Sequence, residues 1–110
     1  MKIIPFDPSL SSDQTFSVNL GDFVCSFRLL WNLRDACWFA TLTSDAGEND
    51  GVRIVPESPL LGKKSNLGYD GDFRCLKFSK NASDAIGYSD LGSSWKLVWG
   101  SPDEWVAYDG

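Results

Sequence analysis

The side chains that most often carry out chemistry in proteins are sparse in this 110-residue chain, which contains no histidine and three cysteines. Without histidine, the Ser-His-Asp and Cys-His arrangements of nucleophilic catalysis are excluded. Cys25, Cys37 and Cys75 form no Cys-x-x-Cys pair and lie too far apart along the chain for the short spacing of zinc ligands. We therefore predict reduced thiols packed in strands, folding in a reducing cytoplasm and no bound cofactor.

Three other patterns were considered as chemical sites. Gly62-Lys63-Lys64-Ser65 is similar to the end of a phosphate-binding loop, but Glu57 occupies the position of the first glycine and no helix is predicted to follow. Asp45 to Gly51 is acidic, yet Asp50 stands where a calcium-binding EF-hand loop needs glycine, which favours a solvated turn. A paired-carboxylate hydrolase stays formally open, although spacing selects no pair among fifteen acidic residues. The sequence predicts that the protein is not an enzyme.

Alternation of apolar and polar residues with a period of two is the main structural signal. Phe23, Cys25, Phe27, Leu29 and Trp31 share one face of a nine-residue run, which is typical of a half-buried strand. Similar runs and turn signals predict an all-β fold, a small antiparallel barrel or sandwich of about six strands. The predicted strands are Gln14 to Leu20, Phe23 to Trp31, Cys37 to Ser44, Val52 to Val55, Phe73 to Phe78 and Trp95 to Trp99.

Turn signals divide these strands. Gly21-Asp22 stands between the first two alternating runs and predicts a tight hairpin. The segment Pro56 to Asp72 has no clear element, and such long loops are often functional. No stretch has convincing helical periodicity. We predict one all-β domain over residues 1–100, followed by an acidic aromatic tail over residues 101–110.

Four apolar residues outside the predicted strands are candidates for contacts with a partner protein. They are Leu60 and Leu61 in the long loop and Trp105 and Tyr108 in the tail. Large aromatic side chains are enriched at protein interfaces, and five tryptophans are many for so short a chain. The alternative is that Leu60 and Leu61 cover one end of the barrel and that the tail folds back over the core.

The charge and the remaining composition restrict the class of partner. A net charge of −5 repels phosphate backbones, so no specific nucleic-acid binding is expected. Pro5 and Asp7 interrupt the start of the chain, and neither a secretory signal nor a membrane span is predicted. A small β-barrel module for carbohydrate or single-stranded nucleic acid is the alternative, with Phe27, Trp31, Trp95 and Trp99 as stacking rings.

The ordered run of motifs resembles the baseplate plug proteins of contractile-tailed bacteriophages. The resemblance covers about residues 3 to 100 in the correct order, and seven short pieces carry it. Trp99 replaces the tyrosine usual in the family, and Gly62 to Asp72 lacks the family's Asp-Pro-Arg-Leu-Pro-Pro-Gly pattern. The matching pieces are Ile4-Pro5, Gln14 to Val18, Phe27 to Asn32 with Arg34, Trp38-Phe39, Asp45-Ala46-Gly47, Val55-Pro56 with Pro59-Leu60-Leu61, and Asp90-Leu91-Gly92 with Leu97-Val98-Trp99.

The resemblance implies a structural role in the virion. It implies a plug near the hub and spike of the tail baseplate, which helps to close the tail tube before contraction. The expected partners are hub, spike, tube or other baseplate subunits. The protein would be made and assembled in the cytoplasm of the host bacterium. An acidic surface fits a tube through which DNA must later pass without sticking.

Overall fold

The computed structural model describes residues 1–21 and 23–110. Within these residues it contains seven strands, a short 3-10 turn at Gly62–Lys64 and one α-helix. The strands are β1 (Lys2–Ile3), β2 (Asp13–Asn19), β3 (Val24–Asn32), β4 (Cys37–Thr43), β5 (Glu48–Arg53), β6 (Asp72–Lys77) and β7 (Trp95–Gly100), and the helix is α1 (Pro102–Asp109).

The strands form two antiparallel sheets. The larger sheet has the order β2-β3-β4-β5, so it is a simple meander in which chain neighbours pair. The smaller sheet has the order β1-β7-β6, with β7 in the centre. The predicted all-β antiparallel fold is confirmed, and of the two predicted forms it is a sandwich of two sheets.

The core lies between the two sheets and is strongly aromatic. On the inner face of β3, Cys25, Phe27 and Leu29 are at most 1% exposed. The rings of Phe27 and Phe73 meet edge to face with centroids 5.4 Å apart, and Phe23 meets Trp99 at the same distance. Because each ring pair joins one sheet to the other, the aromatic residues hold the sandwich together.

The predicted hairpin between β2 and β3 is present. Asn19 pairs with Val24, and the Leu20 N–H donates to the Phe23 carbonyl at 2.8 Å. Gly21 has a φ of +101°, a backbone conformation that suits glycine. Asp22, the other residue of the predicted turn, lies outside the described residues.

The sequence prediction for β5 was wrong in its position. The strand begins at Glu48 rather than at Val52, so the second half of the predicted turn from Asp45 to Gly51 belongs to it. Its two acidic side chains accept hydrogen bonds from threonines of the neighbouring strand β4. The Thr41 hydroxyl donates to the Asp50 carboxylate at 2.6 Å, and a shift in register follows between Ala40 and Leu42. In a polar edge strand with a bulge, the alternation of apolar and polar residues that predicts a strand from sequence is interrupted.

The connection between β6 and β7 is part of the core, although its sequence is mainly polar. Leu91 is fully buried within it. The Asp90 carboxylate accepts from the Gly87 N–H at 2.8 Å and from the Ser94 hydroxyl at 3.2 Å. Gly92 has a φ of +93°, and a Cβ there would collide with the backbone carbonyl of Phe6. The Asp90-Leu91-Gly92 motif therefore fixes the entry into β7.

Helix α1 was not predicted. Ser101 caps it through a capping box, in which its hydroxyl accepts from the Glu104 N–H and the Glu104 carboxylate accepts from the Ser101 N–H. Pro102 occupies the first turn, where its missing N–H costs nothing. These residues are a sequence signature of a helix start, and the prediction that the tail lacks helical structure overlooked it.

Candidate partner interface

The thiols of the described residues are buried, and those of Cys25 and Cys75 are weakly acidic. Cys25, Cys37 and Cys75 are reduced and buried. Burial raises the pKa of the Cys25 thiol to about 11 and that of the Cys75 thiol to about 12, so neither is a ready nucleophile. Over residues 1–21 and 23–110, no group of cysteine and acidic side chains could hold a metal ion. In the same part of the chain, no helix is long and apolar enough to cross a membrane.

Leu60 and Leu61, two of the predicted contacts, lie against the edge of β6. The Leu60 N–H donates to the Phe73 carbonyl at 3.0 Å, and the Leu61 N–H donates to the Asp72 carboxylate, also at 3.0 Å. The Leu61 side chain is 6% exposed, and that of Leu60 is half-buried against the core. In this conformation the two leucines mainly contact their own chain and hold the long loop onto the smaller sheet.

Trp105 anchors α1 to the outer face of the smaller sheet. The ring is 5% exposed and clusters with Leu76 and Val98. Its indole N–H donates to the Asp72 carbonyl at 3.0 Å, and the Arg74 guanidinium carbon lies 4.6 Å from the ring centroid. These contacts hold the helix flat against β6 and β7, which leaves the Trp105 ring little surface to offer a partner.

Tyr108 is the one of the four candidates whose side chain is exposed, at 55%. Its ring stands perpendicular to that of Trp105, with centroids 5.6 Å apart. Val106, on the same helix, is 73% exposed. The helix thus buries one large aromatic ring against the sheet and exposes Val106 and Tyr108, which point to different sides of the helix because they are two positions apart.

Two ion pairs fasten α1, and their carboxylates make the attachment sensitive to acid. Asp109 accepts from both terminal nitrogens of the Arg74 guanidinium, at 2.8 and 2.9 Å. This bond lowers the pKa of Asp109 below its ordinary value of 3.8. Glu104 accepts from the amino group of Met1, and this contact lowers the pKa of Glu104 from 4.5 to about 2.

We expect the attachment of α1 to the sheet to weaken when the pH falls from about 4.5 to about 2. A carboxyl whose pKa is lowered by folding stabilises the folded state fully above its ordinary pKa, and that stabilisation is lost as the pH falls through the folded-state pKa. The NMR signal of the Trp105 indole N–H should then lose its hydrogen-bonded shift. Asp109→Asn should weaken the attachment already at neutral pH, whereas Asp103→Asn should not. An indole signal unchanged down to pH 2 would contradict the prediction.

The outer face of the larger sheet is polar and internally paired. The Ser17 and Ser26 hydroxyls are 3.1 Å apart, and Arg28 makes a two-pronged ion pair with Asp13 at 3.1 and 2.9 Å. A depression beside Arg28 is lined by Leu30 and the half-buried Phe39, which are the apolar part of this face. The rings considered for base stacking lie elsewhere: Phe27, Trp95 and Trp99 are at most 7% exposed and belong to the core, and Trp31 is half-buried against it.

The fold and these surfaces define a class of protein: a small structural β-sandwich whose aromatic residues form its core. The description of the family model that matches is cyanophage baseplate Pam3 plug gp18, and the match spans residues 1–103. The chain belongs to this family of phage baseplate plug proteins. Its members are structural components of the virion, which agrees with the resemblance seen in the motifs. No curated protein matches the chain.

Proposed function

We propose that the protein closes the tail tube of a contractile phage tail, on the tail axis near the hub and spike, until contraction. The match of the family model over residues 1–103 carries this proposal, because it covers both sheets and the start of α1. The net charge of −5 supports it, since an acidic surface does not retain DNA that leaves through the tube. The protein would reach this position by assembly in the cytoplasm of the host bacterium.

Among the predicted contacts, we propose that Tyr108 meets a hub, spike, tube or other baseplate subunit. Its exposed ring can be buried on assembly. Leu60 and Leu61, in contrast, would act by holding the loop that borders β6, and Trp105 would act by holding α1. The partner would then bind the outer face of α1, which these contacts keep in place.

Cryo-microscopy of extended and contracted tails tests the proposal. We expect density for the chain on the axis at the baseplate end of extended tails, and its loss or displacement in contracted tails. Tyr108→Asp should lower the amount of the chain per tail severalfold, while the matched surface variant Leu33→Asp should not, because Leu33 is 88% exposed in the turn before β4. Density along the tube wall or in the capsid would overturn the proposal.

A further inference from the structure

The strand β2 forms an edge of the larger sheet, and half of its backbone groups face outward. The Trp31 N–H donates to the Ser12 carbonyl, and the pairing with β3 has no shift in register. Even-numbered residues of β2 therefore direct their backbone groups at β3, and odd-numbered residues direct theirs away from it. The outward N–H and carbonyl groups of Thr15, Ser17 and Asn19 have no hydrogen-bond partner among residues 1–21 and 23–110.

Other segments of the chain cover or shorten the remaining edges. The Glu57 and Leu60 N–H groups donate to carbonyls of β6, so the long loop lies along that strand. On β5, the Glu48 carbonyl accepts from the Asn66 side chain at 3.2 Å. The strand β1 is two residues long. β5 also carries a bulge and three charged residues, so among the described strands β2 is the long edge strand that has neither a covering segment nor a bulge.

The sequence of β2 also lacks the usual protection of an edge strand. Natural proteins protect such edges with lysine, proline, a bulge or a very short strand, because an open edge invites pairing with another chain. Asp13–Asn19 contains neither lysine nor proline, runs for seven residues and pairs with β3 without a bulge. Its one charged side chain, Asp13, is tied to Arg28. Neither the backbone of β2 nor its side chains therefore prevent another strand from pairing with it.

An apolar groove follows this open edge. It has a volume of about 560 Å³ and lies between β2 and the segment that precedes it. Phe6, Leu10 and Phe16 line it, and Leu10 is 73% exposed. Thr15 and Ser17 also line the groove, and their exposed hydroxylic side chains alternate with Phe16 and so lie on the other, polar face of β2. A strand added beside β2 would therefore meet an apolar surface on one face and a polar surface on the other.

The charge of the groove favours a strand of another protein over a second copy of this chain. Asp7 lines the groove, and hydrogen bonds from the Ser9 hydroxyl and N–H lower the pKa of its carboxyl, which keeps it ionised. No described cation forms an ion pair with it. A second copy would bring a further net charge of −5, whereas a segment with lysine or arginine would complement Asp7.

We propose that β2 is a strand-addition site for an extended amphipathic segment of another baseplate protein, with apolar side chains at alternate positions for the groove and a lysine or arginine for Asp7. Backbone hydrogen bonds supply affinity in this mode of recognition, and the groove supplies specificity. The inference rests on the proposed function, because it takes the partner from the baseplate.

The decisive variant is Ser17→Pro, which removes one outward N–H from β2. Proline is tolerated on an edge strand where the N–H faces solvent, so the fold should persist. We expect the amount of chain per purified tail, measured by quantitative mass spectrometry, to fall about tenfold or more. Ser17→Ala keeps the backbone N–H and should give the wild-type amount.

A second pair of variants leaves the backbone of β2 unchanged. Leu10→Asp places a charge in the groove and should also lower incorporation into tails about tenfold, because the apolar side chains of the added strand lose their surface. Leu33→Asp places the same charge on a leucine that is also exposed but lies away from the groove, and it should leave incorporation unchanged. Thermal unfolding of all four purified variants confirms that differences in incorporation do not reflect misfolding.

Reconstruction of wild-type tails separates this inference from the proposed function. A strand of another protein about 4.8 Å from β2 would support the inference. If the chain lies on the baseplate axis with a bare β2 edge, or with a second copy of itself there, the inference is overturned and the proposed function stands. Full incorporation of both Ser17→Pro and Leu10→Asp also overturns it. A chain absent from the baseplate overturns both.

Discussion

Gly92→Ala should destabilise the protein by about 3 kcal/mol, the sum of a backbone and a packing cost. The backbone of Gly92 has a φ of +93°, where a side chain is strained by about 1–2 kcal/mol. The new Cβ would also collide with the carbonyl of Phe6, a backbone atom that no rotamer change can move. Guanidinium unfolding followed by tryptophan fluorescence measures the free energy of unfolding.

The control for this substitution is Gly51→Ala on β5. Gly51 also has a positive φ, of +65°, but open space surrounds the position that its Cβ would take. Gly51→Ala should therefore cost about 1–2 kcal/mol, which is the backbone contribution alone. Equal destabilisation by the two substitutions would show that the close approach of Phe6 to Gly92 is not tight, and would contradict the structural account of the Asp90-Leu91-Gly92 motif.

Trp105→Ala should also cost about 3 kcal/mol, at the lower end for a buried tryptophan, because α1 lies on the outside of the sandwich. The substitution removes the ring that packs on Leu76 and Val98 and leaves the Asp72 carbonyl without its donor. The amides of α1 should exchange with solvent far faster in the variant, as mass spectrometry of hydrogen exchange can show.

Val106→Ala is the matched control on the same helix, since its side chain is 73% exposed and it neighbours Trp105 in sequence. It should change the free energy of unfolding by less than about 0.5 kcal/mol. If Trp105→Ala proves as mild as Val106→Ala, then Arg74 and Asp109 hold the helix without the ring, and our account of its attachment is wrong.

The strands that were predicted correctly are those whose signal is local. In β3 the alternation of Cys25, Phe27 and Leu29 arises from a sheet with one buried face, and this can be read from sequence alone. The start of the edge strand β5 was not predicted, because its residue types are those of a turn. Its exposed Glu48 and Asp50 accept hydrogen bonds from threonines of β4. Helix α1 has a single buried residue and no apolar stripe, which leaves only the cap at Ser101 as a signal.

The candidate interface was less predictable, because exposure depends on contacts between distant residues. Trp105 and Tyr108 are three positions apart, and their different exposures follow from the face that α1 turns toward β6 and β7. The open edge of β2 depends on strand order, which sequence spacing does not reveal. Motif order identified the family, and one of its motifs, Asp90-Leu91-Gly92, serves the backbone geometry before β7.

The strand order also has a consequence for folding during synthesis. The larger sheet is a meander over residues 13–53, so it can pair as soon as that part of the chain leaves the ribosome. The smaller sheet must wait, because β1 near the start pairs with β7 near the end. Until β7 has been made, the smaller sheet cannot cover the inner face of the larger sheet. Pairing of β1 with β7 closes a loop of most of the chain, which is slow. Residues 13–53 of the nascent chain therefore expose an apolar sheet face until β7 has been made.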